Sequence, residues 1–344
     1  MPSYKHRSLL SVLILLSIIS LAACSTGTPT ITPTPTLGVV EPTATTPPMP
    51  LGDPSNPILI GYVFSQDDPE SQAAIETLVQ ELNVRVGLTF GAVIFPTYEQ
   101  LLSMLKAGTV HGAWLHPLTY INASNQDMVD VQLLTNHFGT YYYGTQILAN
   151  AENGFTSFFD PETNTATADA ETALRQLDGL RPCWAEEGSI SGHIYPFGLL
   201  QDLNISSLPG AIVQSHTAVI RSLYIKGVCD YGATFAYSGD PRTSGAVIND
   251  LPDVNQQVVV LWQSPPDIPN LNFSTIPGMP DPIRAKLVSV LVDIVKTEDG
   301  KALLSQANGA YDIQDLRVVD DSVYDSLRQA VRRSGISASD WPGR

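Results

Sequence analysis

The stretch YYYGTQILAN, residues 141–150, interrupts a regular alternation of strands and helices. It is rich in residues that favour strands, and no helix-like segment follows it directly. A second stretch of this kind, QQVVVLWQ, lies at 256–263. Two long strands separated by a complete α/β series are expected where a chain crosses from one lobe to another and later returns.

Ahead of this stretch, short apolar segments alternate with segments that have the helical spacing of apolar residues. The predicted strands are ILIGYVF with its core at 59–64, FGAVIF, VHGAWL and VDVQLLT. The predicted helices run from Asp68 through Val86, over Tyr98–Ala107 and over Leu118–Asn125. Apolar strands that alternate with helices are typical of parallel βαβ units, whose sheet is covered on both faces.

A second series of strands and helices follows the stretch. The pattern predicts helix 168–177, strand 181–186, a turn with a helix, strand 211–214, helix 216–226 and strand 228–233. Helices near 281–296 and 321–334 are expected to close the chain. We therefore predict a two-lobed α/β protein in which each lobe is a mostly parallel sheet flanked by helices. Lobe 1 would comprise 57–145 with 264–344 returning to it, and lobe 2 would comprise 146–263.

The N-terminus has the pattern of a secretory signal. Lys5 and Arg7 precede an apolar run of fifteen residues, 9–23, whereas a membrane-spanning helix needs about 20. The run ends in LAAC at Cys24, which resembles the bacterial lipobox, so we predict a signal peptide at 1–23 and lipidation of Cys24. The protein would then be extracytoplasmic and anchored to a membrane by lipid. An ordinary signal peptide with an incidental cysteine is the alternative.

Residues 24–56 and the charge of the chain constrain the partners. After Cys24 the segment consists mostly of Thr, Pro, Ser and Gly, which predicts a semi-rigid stalk. The formal charge is −16, and removing Lys5 and Arg7 with the signal makes it −18. The chain has no cluster of Lys and Arg, so nucleic acid is not an expected partner. Any anion site must rely on local hydrogen-bond donors.

Two further cysteines, Cys183 and Cys229, lie in strand-like segments. In an oxidising compartment they are expected to form a disulfide, and two buried thiols are the alternative. The pattern predicts no metal and no cofactor, because His111 and His116 lack the i,i+4 spacing of a helical metal site and no CxxC occurs.

The segment EEGSISGH, residues 186–193, is the first candidate binding site. A hydrolase nucleophile elbow, G-x-S-x-G, would need serine at position 190, where this chain has Ile190. No enzymatic activity is therefore predicted. The turn instead follows a predicted strand and opens a helix, and helix N-termini bind oxyanions through unpaired N–H groups. A plain N-cap supplied by Ser191 is the alternative.

A second candidate follows in Ser215-His216, where a predicted strand meets a predicted helix. His216 could donate to an oxyanion from that helix start, and a solvated loop histidine is the alternative. Asp230 falls in the C-terminal half of the next predicted strand, where open α/β sheets bind ligands.

Residues 57–336 resemble the phosphate, phosphite and phosphonate solute-binding proteins of ABC transporters, which have the type II periplasmic-binding-protein fold. The resemblance rests on Tyr98, GTVHGAWLHPLTY at 108–120, Tyr142, LDGL at 177–180, SISG at 189–192, Ser215-His216, GVCDYGA at 227–233 and SPPDIPN at 264–270. Leu115-His116 departs from the family, which commonly has an aromatic residue and a glycine there. TFAYSGD at 234–240 lacks the acidic residues of aminophosphonate binders, so that specificity is not implied.

The resemblance implies a ligand set and a function. The ligand set comprises Ser189, Ser191, Gly192, Tyr98, Tyr142 and His216, with Asp230 at the ligand's other end and His193 as an additional donor. The implied function is a monomeric solute-binding lipoprotein that captures a small tetrahedral phosphorus oxyanion between its lobes. It would deliver this ligand to the permease of an ABC importer. A sensor or adaptor lipoprotein of the same fold without transport is the alternative, followed by a serine hydrolase.

Overall fold

The structure is a computed structural model, and it describes residues 49–64 and 68–340. The predicted signal peptide, the lipidated Cys24 and the stalk up to residue 48 lie outside the described residues. Within the described part, none of the helices is long and apolar enough to span a membrane.

Fourteen strands and eleven α-helices are found in the described residues. The strands are β1 Ile58–Val63, β2 Phe90–Phe95, β3 Gly112–Leu115, β4 Asp130–Asn136, β5 Tyr142–Asn150, β6 Phe159–Asp160, β7 Thr165–Ala166, β8 Pro182–Trp184, β9 Ala211–Ile212, β10 Tyr231–Ala236, β11 Val258–Gln263, β12 Ile268–Pro269, β13 Asn272–Thr275 and β14 Asp315–Val318. The helices are α1 Pro69–Val86, α2 Tyr98–Lys106, α3 Pro117–Ser124, α4 Ala170–Leu174, α5 Tyr195–Asp202, α6 His216–Ile225, α7 Gly245–Ile248, α8 Val254–Gln257, α9 Asp281–Ile294, α10 Glu298–Ala307 and α11 Asp325–Ser334.

The first lobe is built on a six-stranded sheet in the order β14-β4-β13-β3-β1-β2. β1 pairs in parallel with β2 and β3, whereas β13 and β14 run antiparallel to β4. Helix α1 covers one face because Ile75, Leu78 and Leu82 recur at helical spacing and are buried against the apolar strands. The βαβ units predicted for this region are confirmed.

The second lobe is built on a sheet in the order β11-β5-β10-β8-β9. β8 pairs in parallel with β9 and β10, and β5 runs antiparallel to both of its neighbours, β10 and β11. Cys183 in β8 and Cys229, just before β10, form a disulfide with their Cα atoms 5.5 Å apart. The bond therefore ties two neighbouring strand starts together in this lobe.

The two lobes are connected by β5 and by the returning segment β11-β12-β13. β5 pairs antiparallel with β11 over most of its length and with β12 at Tyr142 and Tyr143. From there the chain enters β13, in the middle of the first sheet. The predicted two-lobed α/β fold with two crossing strands is confirmed.

Some elements differ from the predicted pattern. β10 begins at Tyr231 rather than at residue 228, and α10 was not predicted because its sequence, EDGKALLSQA, is mostly polar. Helix α11 packs on α5, where the carbonyl oxygen of Ala330 lies only 2.3 Å from the position of a Cβ built on Gly198. The ion pair between Arg333 and Asp202, 2.9 Å, joins the same two helices. The C-terminal helix thus contacts an element that follows β8 of the second sheet.

Candidate functional site

A cleft of about 470 Å³ lies between the two sheets. Its lining comes from both lobes and from the crossing segments: His116, Pro117, His137, Phe138, Tyr143, Glu186, Ser189, Ile190, Ser191, His216, Phe235, Ser238, Asn270, Leu271 and Tyr311. Six of these residues lie one or two residues after the end of β3, β4, β8 or β10, and four more belong to the segments that follow β8 and β9. They gather there because the carboxyl ends of parallel strands share one sheet edge, where open α/β sheets bind ligands.

The SISG segment forms a compact turn at the floor of this cleft. The Ser189 hydroxyl accepts a hydrogen bond from the Gly192 N–H at 3.1 Å, and Ile190–Ile194 form a π-helical turn. Helix α5 begins at Tyr195, directly after this π-helical turn, so Pro196 lies at the junction of the two helices.

Close packing fixes the position of this turn. The Thr145 hydroxyl of β5 donates to the Ser191 carbonyl at 2.6 Å, so a crossing strand holds the turn. A Cβ built on Gly192 would lie 2.6 Å from the Ala185 Cβ and 2.9 Å from Cε1 of His216. Only glycine therefore lets the turn approach His216 this closely. The N–H groups of Ile190 and Ser191 precede the first hydrogen bond of the turn and have no carbonyl within it to bind.

His216 faces the turn from the first position of α6. Ser215 caps that helix by accepting a hydrogen bond from the Ala218 N–H at 3.0 Å. The His216 Nε2 lies 3.4 Å from the Ser189 Oγ, and its ring meets Phe235 edge-on at 4.9 Å. Burial lowers the pKa of His216 to about 4, although the charge of Glu186 acts in the opposite direction. The imidazole is therefore neutral at pH 7, with one N–H to donate.

The Ser189–His216 pair resembles part of a hydrolase triad but lacks its third member. The buried Nδ1 of His216 has no hydrogen-bond partner among the described residues. In a triad a carboxylate bonds this nitrogen, sets the tautomer and stabilises the imidazolium that forms. Without that carboxylate and with a lowered pKa, His216 is a weak general base for Ser189. The geometry suits hydrogen bonding to a ligand.

Imidazole and aromatic rings of the first lobe form one wall of the cleft. His116 follows β3, and His137 follows β4 and stacks on Tyr311 with centroids 4.0 Å apart and an interplanar angle of 13°. His116 meets Tyr311 edge-on at 6.3 Å, and the Phe138 ring lies 4.3 Å from that of His137. Burial, together with the charge of His137, lowers the pKa of His116 to about 4. Among the described lining residues there is no Lys or Arg, so neutral groups dominate this face.

Both predicted tyrosines lie beside the cleft rather than on its surface. Tyr98 packs edge-on beneath His116 at 5.8 Å, where burial raises its pKa. Tyr142 is half-buried beside the charges of Arg317 and Asp320, and the cleft is lined by Tyr143 instead. Successive side chains of a strand point to opposite faces, so Tyr142 and Tyr143 face different sides of β5, and a ligand contact of Tyr142 remains a prediction.

The structure also excludes two other predicted residues from the cleft. His193 bonds the Glu187 carbonyl through Nδ1 at 2.7 Å and lines a separate groove with Trp184 and Phe197. The π-helical turn rotates its side chain away from Ser189 and Ser191. Asp230 precedes β10 and accepts a hydrogen bond from the Arg181 N–H at 2.8 Å. It therefore lies at the amino end of the sheet, opposite the cleft.

The prediction missed most of the first-lobe wall. His137, Phe138 and Tyr311 lie in a hairpin turn and in a loop after α10, and nothing in the local sequence shows that these segments meet. His116 was noted as a departure from the family pattern and rejected as a metal ligand, but it was not assigned to the binding site. Its position directly after a short apolar strand was the signal that could have identified it.

The two-lobed fold and its interlobe cleft are those of a type II periplasmic binding protein. A sequence model of the family described as "ABC transporter, phosphonate, periplasmic substrate-binding protein" matches residues 60–324. The chain belongs to this family and is a substrate-binding protein of the ABC-transporter type. Membership in this periplasmic family implies an extracytoplasmic location.

Solved structures share the fold at low sequence identity. PhnD1 from Prochlorococcus marinus, in complex with methylphosphonate, has a TM-score of 0.52 and 14% identity, over 81% of this chain and 98% of that one. XAC2383 from Xanthomonas citri, bound to ATP, has a TM-score of 0.57 and 15% identity, over 83% and 98%. No match was found among curated protein sequences. At these identities the structural neighbours establish the fold alone.

Proposed function

We propose that this protein captures a small tetrahedral phosphorus oxyanion, a phosphonate, phosphite or phosphate, and delivers it to the permease of an ABC importer. The observation that carries the proposal is the Ser189–Gly192 turn facing His216 across 3.4 Å. The turn offers two serine hydroxyls and the N–H groups of a helix start, and the imidazole offers one more donor. A chain of formal charge −16 can hold an anion only through such local donors.

The proposed binding is a capture without turnover. Hydrogen bonds to charged groups contribute about 1.5–3 kcal/mol each, so four or five would offset the desolvation of the anion. Donors from the turn and rings from the first lobe lie on opposite sides of the cleft, so a bound ligand favours the conformation in which both sides contact it. The ligand is released unchanged because no carboxylate in the described part of the chain bonds the His216 Nδ1.

Calorimetric titration with methylphosphonate, phosphite, phosphate and sulfate tests this proposal. We expect one phosphorus oxyanion to bind with a stoichiometry of one and to be recovered unchanged by ³¹P NMR after prolonged incubation. Methylphosphonate is the first ligand to use because the neighbour PhnD1 was solved with it. Failure of all three phosphorus anions to bind would contradict the proposal, and hydrolysis of a phosphonate or phosphate ester would replace it with an enzymatic role.

We further propose that the protein is a monomer held at the membrane by a lipid on Cys24, which lies outside the described residues. The LAAC motif after a fifteen-residue apolar run supports the lipid anchor. The variant Cys24→Ser is expected to leave the membrane fraction after detergent-free lysis, whereas the wild type stays in it. Retention of the variant in the membrane with the signal removed would contradict lipid anchoring at this residue.

A further inference from the structure

We propose that the ligand carries an uncharged aromatic group on its phosphorus oxyanion, and that Phe138, His137 and Tyr311 bind this ring. The inference rests on the proposed function, because it takes the turn at Ser189 as the site of the oxyanion. It assigns the remaining part of the cleft and thereby names the substrate class, the aryl phosphonates and aryl phosphate monoesters.

The size of the cleft is the first argument. A simple phosphonate or phosphate has five heavy atoms, and at about 30 Å³ per heavy atom, the volume of a water molecule in the liquid, it occupies roughly 150 Å³. The cleft of about 470 Å³ holds about ten further heavy atoms. A substituent the size of a phenyl ring fits beside the oxyanion.

The chemistry of the opposing wall is the second argument. The rings of His137 and Tyr311 are already stacked, 4.0 Å apart, and the Phe138 ring continues this surface at 4.3 Å from His137. Phe235 faces them from the second lobe. Such a surface favours another ring, in stacked or edge-on geometry, over a polar group that would lose its hydration.

The absence of cations from this wall excludes a second anionic group. Among the lining residues in the described ranges there is no Lys or Arg, and Glu186 adds a carboxylate. A second phosphate in the ligand would be desolvated beside neutral rings without a charged partner. The organic part of the ligand therefore carries no negative charge.

Phe138 supplies the third argument through its unusual backbone and exposure. It occupies the first central position of the two-residue hairpin turn between His137 and Thr140, with φ +48°, followed by Gly139 with φ +88°. Asn or Gly is favoured in this left-handed conformation, and a bulky side chain is disfavoured. The Phe138 side chain is also 61% exposed. A ligand ring that packs on Phe138 explains why a bulky, exposed side chain occupies this left-handed backbone position.

The hairpin turn is held in this orientation. The Phe138 N–H donates to the Asp312 carboxylate at 3.0 Å, and the His137 Nδ1 donates to the Asp312 carbonyl at 2.8 Å. These two bonds tie the turn to the loop that carries Tyr311. The aromatic surface is therefore organised before any ligand arrives, which lowers the entropic cost of binding.

The test is calorimetric titration with phenylphosphonate, cyclohexylphosphonate and methylphosphonate. We expect the wild type to bind the phenyl compound at least about tenfold more tightly than either of the others. Phe138→Ala should reduce the phenyl-to-methyl affinity ratio about tenfold, and Phe138→Tyr should retain it. Val318→Ala, which truncates another exposed apolar side chain, 66% exposed and outside the cleft, is the matched control and should leave the ratio unchanged.

Each other outcome overturns the inference in a recognisable way. Equal binding of the cyclohexyl and phenyl compounds would show an apolar pocket without preference for a ring. Methylphosphonate binding alone, or an unchanged ratio in Phe138→Ala, would overturn the aryl class and leave the proposed function standing. Failure of all three compounds to bind would overturn the aryl class, and failure of phosphite and phosphate to bind as well would overturn the proposed function.

Discussion

Replacing Ser189 by alanine separates the two roles that the structure gives to this hydroxyl. The Ser189 Oγ accepts from the Gly192 N–H at 3.1 Å and lies 3.4 Å from the His216 Nε2, at the edge of the cleft. The first contact caps a helical turn, and its loss costs about 1 kcal/mol of folding stability. Beside His216, the same hydroxyl can donate a hydrogen bond to a bound anion. Losing a hydrogen bond to a charged group costs about 1.5–3 kcal/mol, which is a 10- to 100-fold loss of affinity.

The assay is calorimetric titration of Ser189→Ala with methylphosphonate, combined with denaturant unfolding of the free protein. Thr297→Ala is the matched control, because Thr297 caps α10 by accepting a hydrogen bond from the Gly300 N–H at 3.0 Å, outside the cleft. Both variants should lose a similar amount of stability, and Ser189→Ala alone should lose affinity. Adding Ser191→Ala should bring the loss to about a hundredfold or more. Equal affinity in both single variants would refute this account of the turn.

Three further predictions concern the same framework. Gly192→Ala should abolish anion binding measurable by titration, because its Cβ would lie within 3 Å of three atoms of the site. Retained affinity would show that the turn can shift at little cost. The Cys183–Cys229 disulfide joins residues 46 positions apart, and its reduction should lower the unfolding free energy by about 4 kcal/mol. Thermal unfolding with and without reductant measures this, and an unchanged midpoint would contradict it. Burial lowers the pKa of His116 and of His216 to about 4, against about 6.5 in the unfolded chain. Each buried neutral imidazole therefore contributes its full stabilisation above pH 6.5, and about 2–3 kcal/mol of it is lost as the pH falls towards 4. Replacing both histidines with glutamine should make the unfolding free energy less dependent on pH across this range.

The alternation of strands and helices predicted the fold well because it is a local signal. Buried parallel strands are continuously apolar, and α1 places Leu78 and Leu82 on one face, so neither requires knowledge of distant contacts. The long strand β5 was recognised for the same reason. Helix α10 was missed because its apolar residues are few and tertiary packing, rather than periodicity, stabilises it.

The site was harder to predict because each residue depends on a boundary or a distant contact. Choosing Tyr142 over Tyr143 required the register of β5, and placing Asp230 required the start of β10, which lies three residues later than the pattern suggests. Ser189, Ser191 and His216 were placed correctly at the cleft because strand ends and helix starts are visible in the sequence. The wall of His137 and Tyr311 depends on two segments about 170 residues apart, and no local pattern reports such a contact.

A crystal structure of the protein with bound methylphosphonate would locate the anion site directly. We expect one phosphonate in the interlobe cleft, with oxygens within about 2.6–3.2 Å of the Ser189 hydroxyl, of the N–H groups of Ile190 and Ser191, and of the His216 Nε2. Its methyl group should point towards the rings of the first lobe. A phosphonate bound elsewhere, or bound in the cleft without contact to the Ser189–Gly192 turn, would contradict the account.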